Sequence, residues 1–511
     1  MPQFSAQLHP GRGLGFFALG TSMHDALTRI KAEPLTFPKI ELKHDSAEPL
    51  KTPTVVELPA NGLRFRFDGP EQRLRLIEII DFTKNHVYVK QANDKERDLV
   101  RPESAGEITG PSFRHIYQRF LGPTYAGEYI KQSGVYILSY PGVAFTFPMK
   151  ESDYDPSKDI ISLIPANEVA TSMAVFSGES WTEACKTMWT EVLPSVKTYP
   201  PFAKTKDASP DEVSLIKIHG GGKLQVFRKW TKNCFWIYLG ETTPQQILAE
   251  LGPPDSIYYK NDQRMFIHKT RGASNTMVRP QGNDLRQDDL TDTDLSSHPA
   301  SDDSSREETI EDDVDYSGTE ERFMNYFYQG FDIMLSTQAE PSVPPPSQTG
   351  DKEVPGPPFK SGSANRLVAT KLILHGNVPG SYPFNRHRRC RWEIAYLSPP
   401  GDEGTRADSE TPFSEVEEKL REEWKSVYAS EAEAKQKQRG MVLNRGWGDS
   451  PGSSIEMLGG WEEGTTGTHP RSTGGKKKYD GTEDSTTTLY GFPGLVFEVL
   501  RNGFVSAVTV F

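Results

Sequence analysis

Two apolar rhythms succeed one another along the chain: short runs with apolar residues at every third and fourth position, then runs alternating every second position. In LGTSMHDALTRI the spacing of Met23, Ala26, Leu27 and Ile30 predicts a helix, with Ser22 and Asp25 as its capping box. The stretch NGLRFRFDGPEQRLRLIEII follows, where Leu63, Phe65 and Phe67 alternate with arginines and predict a hairpin around Asp68-Gly69. A second copy is SFRHIYQRFLGPTYAGEYI, with Phe113, Ile116, Tyr117 and Phe120 on one face, a Leu121-Gly122-Pro123 stop, and the paired strands YILSYPGVAFTF beyond. The clearest copy is LGETTPQQILAELGPPDSIYY. Thr243 is its N-cap, Pro244 its first helical residue and Gln246 its third; Ile247, Leu248 and Leu251 form the face, and Gly252 and Pro253 end it. The run NYFYQGFDIML, turning at Gly330, and the strand LVATKLILH come next. The last 22 residues, YGFPGLVFEVLRNGFVSAVTVF, repeat only the hairpin half, with a turn at Asn502-Gly503.

A recurring order of helix, Leu-Gly stop, strand and Gly-apolar-x-Phe hairpin predicts an α+β fold of tandem helix-plus-sheet units packed into one body. Residues 14–200 read as an N-terminal pair of units, and 211–398 as a third unit interrupted at about 270–322 and 336–364. Residues 399–486 read as a mostly disordered insertion carrying a helix at 413–428, and 487–511 as the hairpin that completes the fold. In that helix Phe413, Val416, Leu420, Trp424 and Val427 share a face, and Ser414 with Glu417 forms a capping box. A helix of this kind docks a partner or packs on its own domain, and the second is the expectation.

Composition explains the interruptions. Only 35% of the 511 residues are hydrophobic, and segments such as DLTDTDLSS and SREETIEDDVD carry too little apolar surface to offset chain entropy. The proline-rich run from 338 to 364 reads as an extended linker. A formal net charge of −12 speaks against a nucleic-acid partner, which a basic field would recognise. Three scattered cysteines, Cys185, Cys234 and Cys390, suit a reduced cytosolic setting. Neither export nor a membrane span is expected, since MPQFSAQLHPGRG lacks a basic-then-apolar pattern and no apolar run is long enough to span a bilayer, and Pro2 speaks against myristoylation.

Several blocks in order resemble the phagosome assembly factor 1 family. They are LGTSMHDAL, GLRFRFDGPEQRLRLIEI, the helix from Leu239 with NYFYQGFDIM after it, KLILHGNVPGSYPFNRHRRCRWEI (Lys371 to Ile394) and the final GLVFEVLRNGFVSAVTV. The resemblance implies a regulator of autophagy that associates with a β-propeller, phosphoinositide-binding partner at forming phagophores, with trafficking from the Golgi as the alternative role. It implies no catalytic residues and no cofactor. The unit is also similar, at the level of fold alone, to a small module of bacterial outer-membrane assembly lipoproteins.

An enzyme is not expected. The chain lacks a nucleophile elbow and a His-Glu-x-x-His motif, and Gly220-Gly221-Gly222-Lys223 reads as a hairpin turn, not a phosphate loop. His375, His387 and Cys390 offer three mixed ligands without a fourth, poor grounds for zinc. The candidate surface is the segment from Asn377 to Arg391. Its residues Asn377, Pro379, Tyr382, Phe384 and Asn385 form a rigid aromatic loop that either anchors a partner or plugs the junction between sheets. Arg386, Arg388, Arg389 and Arg391 concentrate positive charge that either meets phosphoinositide headgroups or an acidic partner, or keeps a strand edge soluble, or clamps the chain's own acidic insert.

Overall fold

The computed structural model describes residues 4–90, 95–100, 110–125, 127–193, 211–231, 233–259, 321–337, 366–397, 406–444 and 486–511. Most of the segments expected to be disordered lie outside these residues.

The chain builds one plan twice. In the N-terminal lobe the strands are β1 (Phe4–His9), β2 (Gly13–Leu14), β3 (Phe17–Ala18), β4 (Glu41–Lys43), β5 (Thr54–Leu58), β6 (Leu63–Phe67) and β7 (Leu74–Ile79). They continue as β8 (Asn85–Lys90), β9 (Glu96–Asp98), β10 (Glu128–Ile130), β11 (Val135–Tyr140), β12 (Val143–Pro148) and β13 (Ser172–Val175). The C-terminal lobe begins with β14 (Val213–Gly220), β15 (Lys223–Arg228), β16 (Cys234–Tyr238), β17 (Ser256–Tyr259), β18 (Arg322–Tyr326) and β19 (Phe331–Thr337). It ends with β20 (Leu367–His375), β21 (Trp392–Ile394), β22 (Met441–Asn444), β23 (Thr486–Phe492), β24 (Leu495–Leu500) and β25 (Val505–Val510).

Each lobe has an eight-stranded sheet. The orders are β10-β11-β12-β13-β7-β6-β5-β4 and β22-β23-β24-β25-β20-β19-β18-β17, identical when strands are matched in sequence. Each lobe also has a smaller sheet in which the first strand pairs antiparallel with the hairpin after it and parallel with a later return strand. Phe4–Gln7 face Asn85–Tyr88 in one lobe, and Ile216–Ile218 face Trp392–Ile394 in the other. A helix precedes every set of four sheet strands, so the helix-plus-sheet unit occurs four times.

Local chemistry sets these helices. The helix Met23–Ala32 starts where Ser22 Oγ accepts the Asp25 N–H at 3.1 Å, and its Met23, Ala26, Leu27 and Ile30 face is fully buried. Ser112 caps a turn at Phe113–His115 that widens into a π-helix over Ile116–Phe120. At Pro244–Leu251 both halves of the capping box form, between Thr243 and Gln246, and Gly252 ends the helix at φ +76°. Leu248 departs from the expected face: it is 42% exposed, because Ile247 and Leu251 alone reach the core.

The fourth unit corrects two expectations. Its helix, Phe413–Glu423, starts after Pro412, so Ser414 lies inside it and makes no cap. Phe413, Val416, Leu420 and Trp424 are buried in the C-terminal core, which completes the unit that the hairpin alone left open. Order also extends further than the composition suggests. Ala407 and Ser409 are buried ahead of the helix, and a second helix, Glu431–Lys437, and β22 follow it.

Four glycine turns precede the strands of the Gly-apolar-x-Phe pattern, at Gly62, Gly142, Gly330 and Gly494, all with positive φ. Two show what the plan requires. A Cβ on Gly62 would lie 2.3 Å from the Asp81 carbonyl oxygen, and one on Gly330 would lie 2.4 Å from that of Arg388. In both lobes the turn presses on the connection that returns from the large sheet to the small one.

Candidate functional site

That connection is short in the N-terminal lobe, from Ile80 to Lys84. In the C-terminal lobe it is the candidate segment itself, Gly376 to Arg391, and it lies along the seam between the lobes. Asn377 holds it there. Its Nδ2 donates to Gln72 Oε1 at 2.8 Å, Gln72 Nε2 donates back to the Asn377 carbonyl at 2.8 Å, and Asn377 Oδ1 accepts the Asn385 N–H at 2.6 Å. Gln72, Asn377 and Asn385 are the non-glycine residues with positive φ among the described residues, at +53°, +46° and +62°. Three left-handed backbones are thus held by one chain of buried hydrogen bonds.

The aromatic residues divide. Phe384 is buried in the core of the N-terminal lobe, which makes it a plug between lobes. Val378 packs with Leu50 and Phe504 in a small apolar cluster that also crosses the seam, and Pro379 is buried beside it. Tyr382 stays half-buried, with the Arg386 guanidinium 4.8 Å from its ring centroid. The Arg386 carbonyl lies 3.2 Å from His24 Nε2 on the first helix.

The basic run is mostly internal. Arg389 is 3% exposed and donates to the carbonyls of Pro70 at 2.7 Å, Gly376 at 2.7 Å and Ser409 at 3.1 Å, and to Glu410 Oε1 at 2.9 Å. Arg391 forks onto both oxygens of Glu410 at 3.0 and 3.1 Å. Burial alone would raise Glu410, yet the adjacent Arg389 and Arg391 charges hold it down to about 2. Arg388 reaches Glu212 at 3.1 Å, and Arg73 of the other lobe reaches the same carboxylate oxygen at 2.7 Å. Glu212 is also held down to about 2, with Arg73 and Arg388 overriding its burial. Lys229 pairs with Glu71 across the seam. Of the four arginines, only Arg386 has its guanidinium over an aromatic ring at the surface; Arg388, Arg389 and Arg391 hold ion pairs, and Arg388 and Arg389 are not open to a membrane or partner.

The three suspected ligands also sort differently. Cys390 is buried, and burial pushes its thiol up to about 12. Asp332 stands with the histidines instead: its two oxygens lie 2.8 Å from His375 Nε2 and 3.0 Å from His387 Nε2. The rings stack with centroids 3.7 Å apart and planes 12° apart. Nitrogens held side by side in parallel rings suit two oxygens of one carboxylate. With Asp332 they bring three potential ligand atoms within 4.8 Å of one another, one fewer than a structural zinc site takes. Burial first, and His375 second, push His387 down to about 4, while the histidines hold Asp332 below the usual carboxylate range despite its burial.

Sequence reasoning missed Gln72, Arg73, Glu71, Glu212, Lys229, Asp332 and Glu410. A signal existed for the first three: the polar loop GPEQR between two well-patterned strands, in a block the family resemblance had already marked. The others have no local signal, since their partners lie far away in sequence.

This geometry defines a class: a duplicated sheet-and-helix protein whose most distinctive loop is a keystone between lobes. The family model for phagosome assembly factor 1 matches residues 13–284 and 362–511, and the chain belongs to that family. The unmatched stretch contains β18 and β19, which the structure pairs with β17 and β20. The chain is similar to the PHAF1 protein of Arabidopsis thaliana at 23% identity, covering 99% of this chain and 92% of that one. It is similar to a PHAF1 protein of Drosophila melanogaster at 21% identity (97% and 90% covered), and to one of Caenorhabditis elegans at 21% (74% and 74%). No solved structure matches.

Proposed function

We propose that this protein is a non-catalytic adaptor in phagosome assembly, working in the cytoplasm and recruited to phagophore membranes by a β-propeller partner that reads phosphoinositides. Family membership across both lobes carries this reading. The buried ionisable groups of the distinctive loop support it, because His387, Arg388 and Arg389 are engaged in structural pairs with Asp332, Glu212 and Glu410. Among the described residues no helix is long and apolar enough to cross a membrane, in keeping with recruitment through a partner. The surface offered by the loop is Tyr382 with Arg386, whose carbonyl meets His24, and the His24 ring in turn meets Tyr328 edge-on at 5.3 Å. Tyrosine and arginine together are the usual anchors of protein interfaces.

Affinity capture of the tagged protein from its own cells, fed and starved, tests the proposal. Recovery of a propeller protein, weakened by Tyr382→Ala with Arg386→Glu, is the expected result; no propeller protein and no relocation on starvation would refute it. Direct lipid binding through the basic run, with a trafficking role at Golgi or vesicle membranes, is the competing reading. Arg388 and Arg389 are buried, which weakens it. Flotation of the purified chain with phosphoinositide vesicles distinguishes the two, since an adaptor stays unbound without its partner.

A further inference from the structure

The two large sheets guard their outer strands differently. In the first sheet, β4 carries Glu41 and Lys43, which pair with Lys39 at 2.7 Å and with Glu57 at 2.5 Å. At the other end of that sheet β10 is screened on both faces. Tyr129 stacks on Tyr154 with centroids 4.5 Å apart, and Glu128 accepts the Thr182 hydroxyl of the helix Trp181–Thr187. Charge and cover of this kind protect a sheet edge from pairing with another chain.

β17 has neither. It is the outermost strand of the second large sheet and pairs with β18 alone among the described residues. Its Ile257, Tyr258 and Tyr259 are 45%, 44% and 62% exposed. The duplication locates the change. Val55 and Phe323 stand at the same distance before the glycine turns at Gly62 and Gly330, and they oppose Lys43 and Tyr258 respectively. A tyrosine therefore occupies the place where the first lobe has a charged guard. β22, the outer strand at the opposite end of the second sheet, exposes Met441 and Val442 but offers no aromatic anchor.

The chemistry of the edge narrows its occupant. Outward N–H and C=O groups of a strand call for hydrogen bonds at the spacing of another strand, which a polypeptide supplies and a lipid headgroup does not. Size then separates a second copy from a short segment. The four residues of β17 span about 13 Å, whereas folded partners that stay together use about 20–30 residues a side. An edge this short suits an extended segment, held by main-chain hydrogen bonds and by side chains at alternate positions.

We propose that β17 is a docking edge for a short extended segment of a partner protein, which adds to the sheet as a further strand and sets branched or aromatic residues against Ile257, Tyr258 and Tyr259. This edge is distinct from the Tyr382 and Arg386 surface. The inference is independent of the adaptor reading, because it rests on the contrast between the sheet edges alone.

Short random peptides displayed on phage and selected on the full chain are the probe. The selected peptides are expected to share an alternating apolar pattern. Tyr258→Lys, which installs the residue of the first lobe, is expected to weaken them by about tenfold or more with thermal unfolding unchanged. Backbone methylation of a selected peptide, measured on the unaltered chain, reads the mode of binding. N-methyl groups on one alternate set of nitrogens are expected to abolish binding, and on the intervening set to leave it intact. Equal loss from both sets, or undiminished binding to Tyr258→Lys, overturns the proposal. So does the absence of any enriched peptide, as when the chain's own residues fill the edge. A dimer in sedimentation that Tyr258→Lys dissociates would assign the edge to a second copy and overturn it as well.

Discussion

The two lobes share a strand order and differ in the connection that returns from the large sheet to the small one. From β7 to β8 the N-terminal lobe spends five residues, closed by a short turn in which Asp81 Oδ1 accepts the Thr83 N–H at 3.0 Å. At the matching place the C-terminal lobe spends Gly376 to Arg391, and the extra length crosses to the other lobe. Both connections carry the same glycine turn on their backs. Duplication therefore supplied two equivalent positions, and the asymmetry between them makes two lobes one body.

Breaking the longer connection should have the largest effect. Arg389→Ala leaves three carbonyls without their donor and Glu410 with Arg391 as its remaining arginine, and is expected to cost about 3–5 kcal/mol. Urea unfolding followed by two probes, one in each lobe, should then separate into two transitions where the wild type has one. Removing an ion pair inside a lobe gives the contrast. Arg64→Ala, on a partly exposed strand face beside Glu57 at 2.8 Å, should cost less than about 1 kcal/mol and leave the transition single.

Acid comes next. His387 is held down to about 4 against an ordinary 6.5, so the unfolded chain takes up a proton before the folded one as pH falls. Its contribution is complete above pH 6.5 and declines between 6.5 and 4, by about 3 kcal/mol at most. His387→Asn keeps a donor for Asp332 and should flatten the decline in urea midpoints over that window. The depressed Glu212 and Glu410 act lower, their contribution fading from pH 4.5 toward 2, so a second loss confined to that range should persist in the variant.

Smaller still is the effect of releasing the loop's anchor. Asn377→Gly preserves the left-handed backbone and the carbonyl that Gln72 Nε2 reaches but deletes the side-chain hydrogen bonds to Gln72 Oε1 and the Asn385 N–H, for an expected loss of about 1–2 kcal/mol. Asn377→Ala adds backbone strain and should lose more, and the difference between the variants reads that strain. Smallest of all, Arg386→Ala should leave stability within about 0.5 kcal/mol while lowering recovery of the partner.

Much of this fold was legible. The caps at Ser22 and Thr243 and the glycine turns are local chemistry, fixed by residues three or four apart, and the recurrence of helix and hairpin disclosed the repeated unit. The duplication into equivalent lobes was not, because β1 with β8 and β14 with β21 pair through long crossings that no local signal marks. The site was half legible. Family resemblance picked out the loop, but a run of arginines looks the same whether water or carbonyls surround it. The partner of Arg389 at Pro70 stands 319 residues away, and that of Arg73 at Glu212 stands 139 away. Phe384 likewise reads equally as a partner anchor or a plug until the opposing core is known.

The position of β25, in the middle of the second large sheet between β20 and β24, bears on how the protein is made. All strands of the first lobe have been synthesised once Val175 is added, whereas the second lobe lacks a central strand until Val505–Val510 appear. At about 5–20 residues per second that interval lasts some tens of seconds. Within it the first lobe waits for Asn377 to answer Gln72 and for Phe384 to enter its core, and β20, once made, keeps a bare edge until β25 pairs with it. A chaperone that shields this half-built surface during translation would serve the protein at its most vulnerable stage.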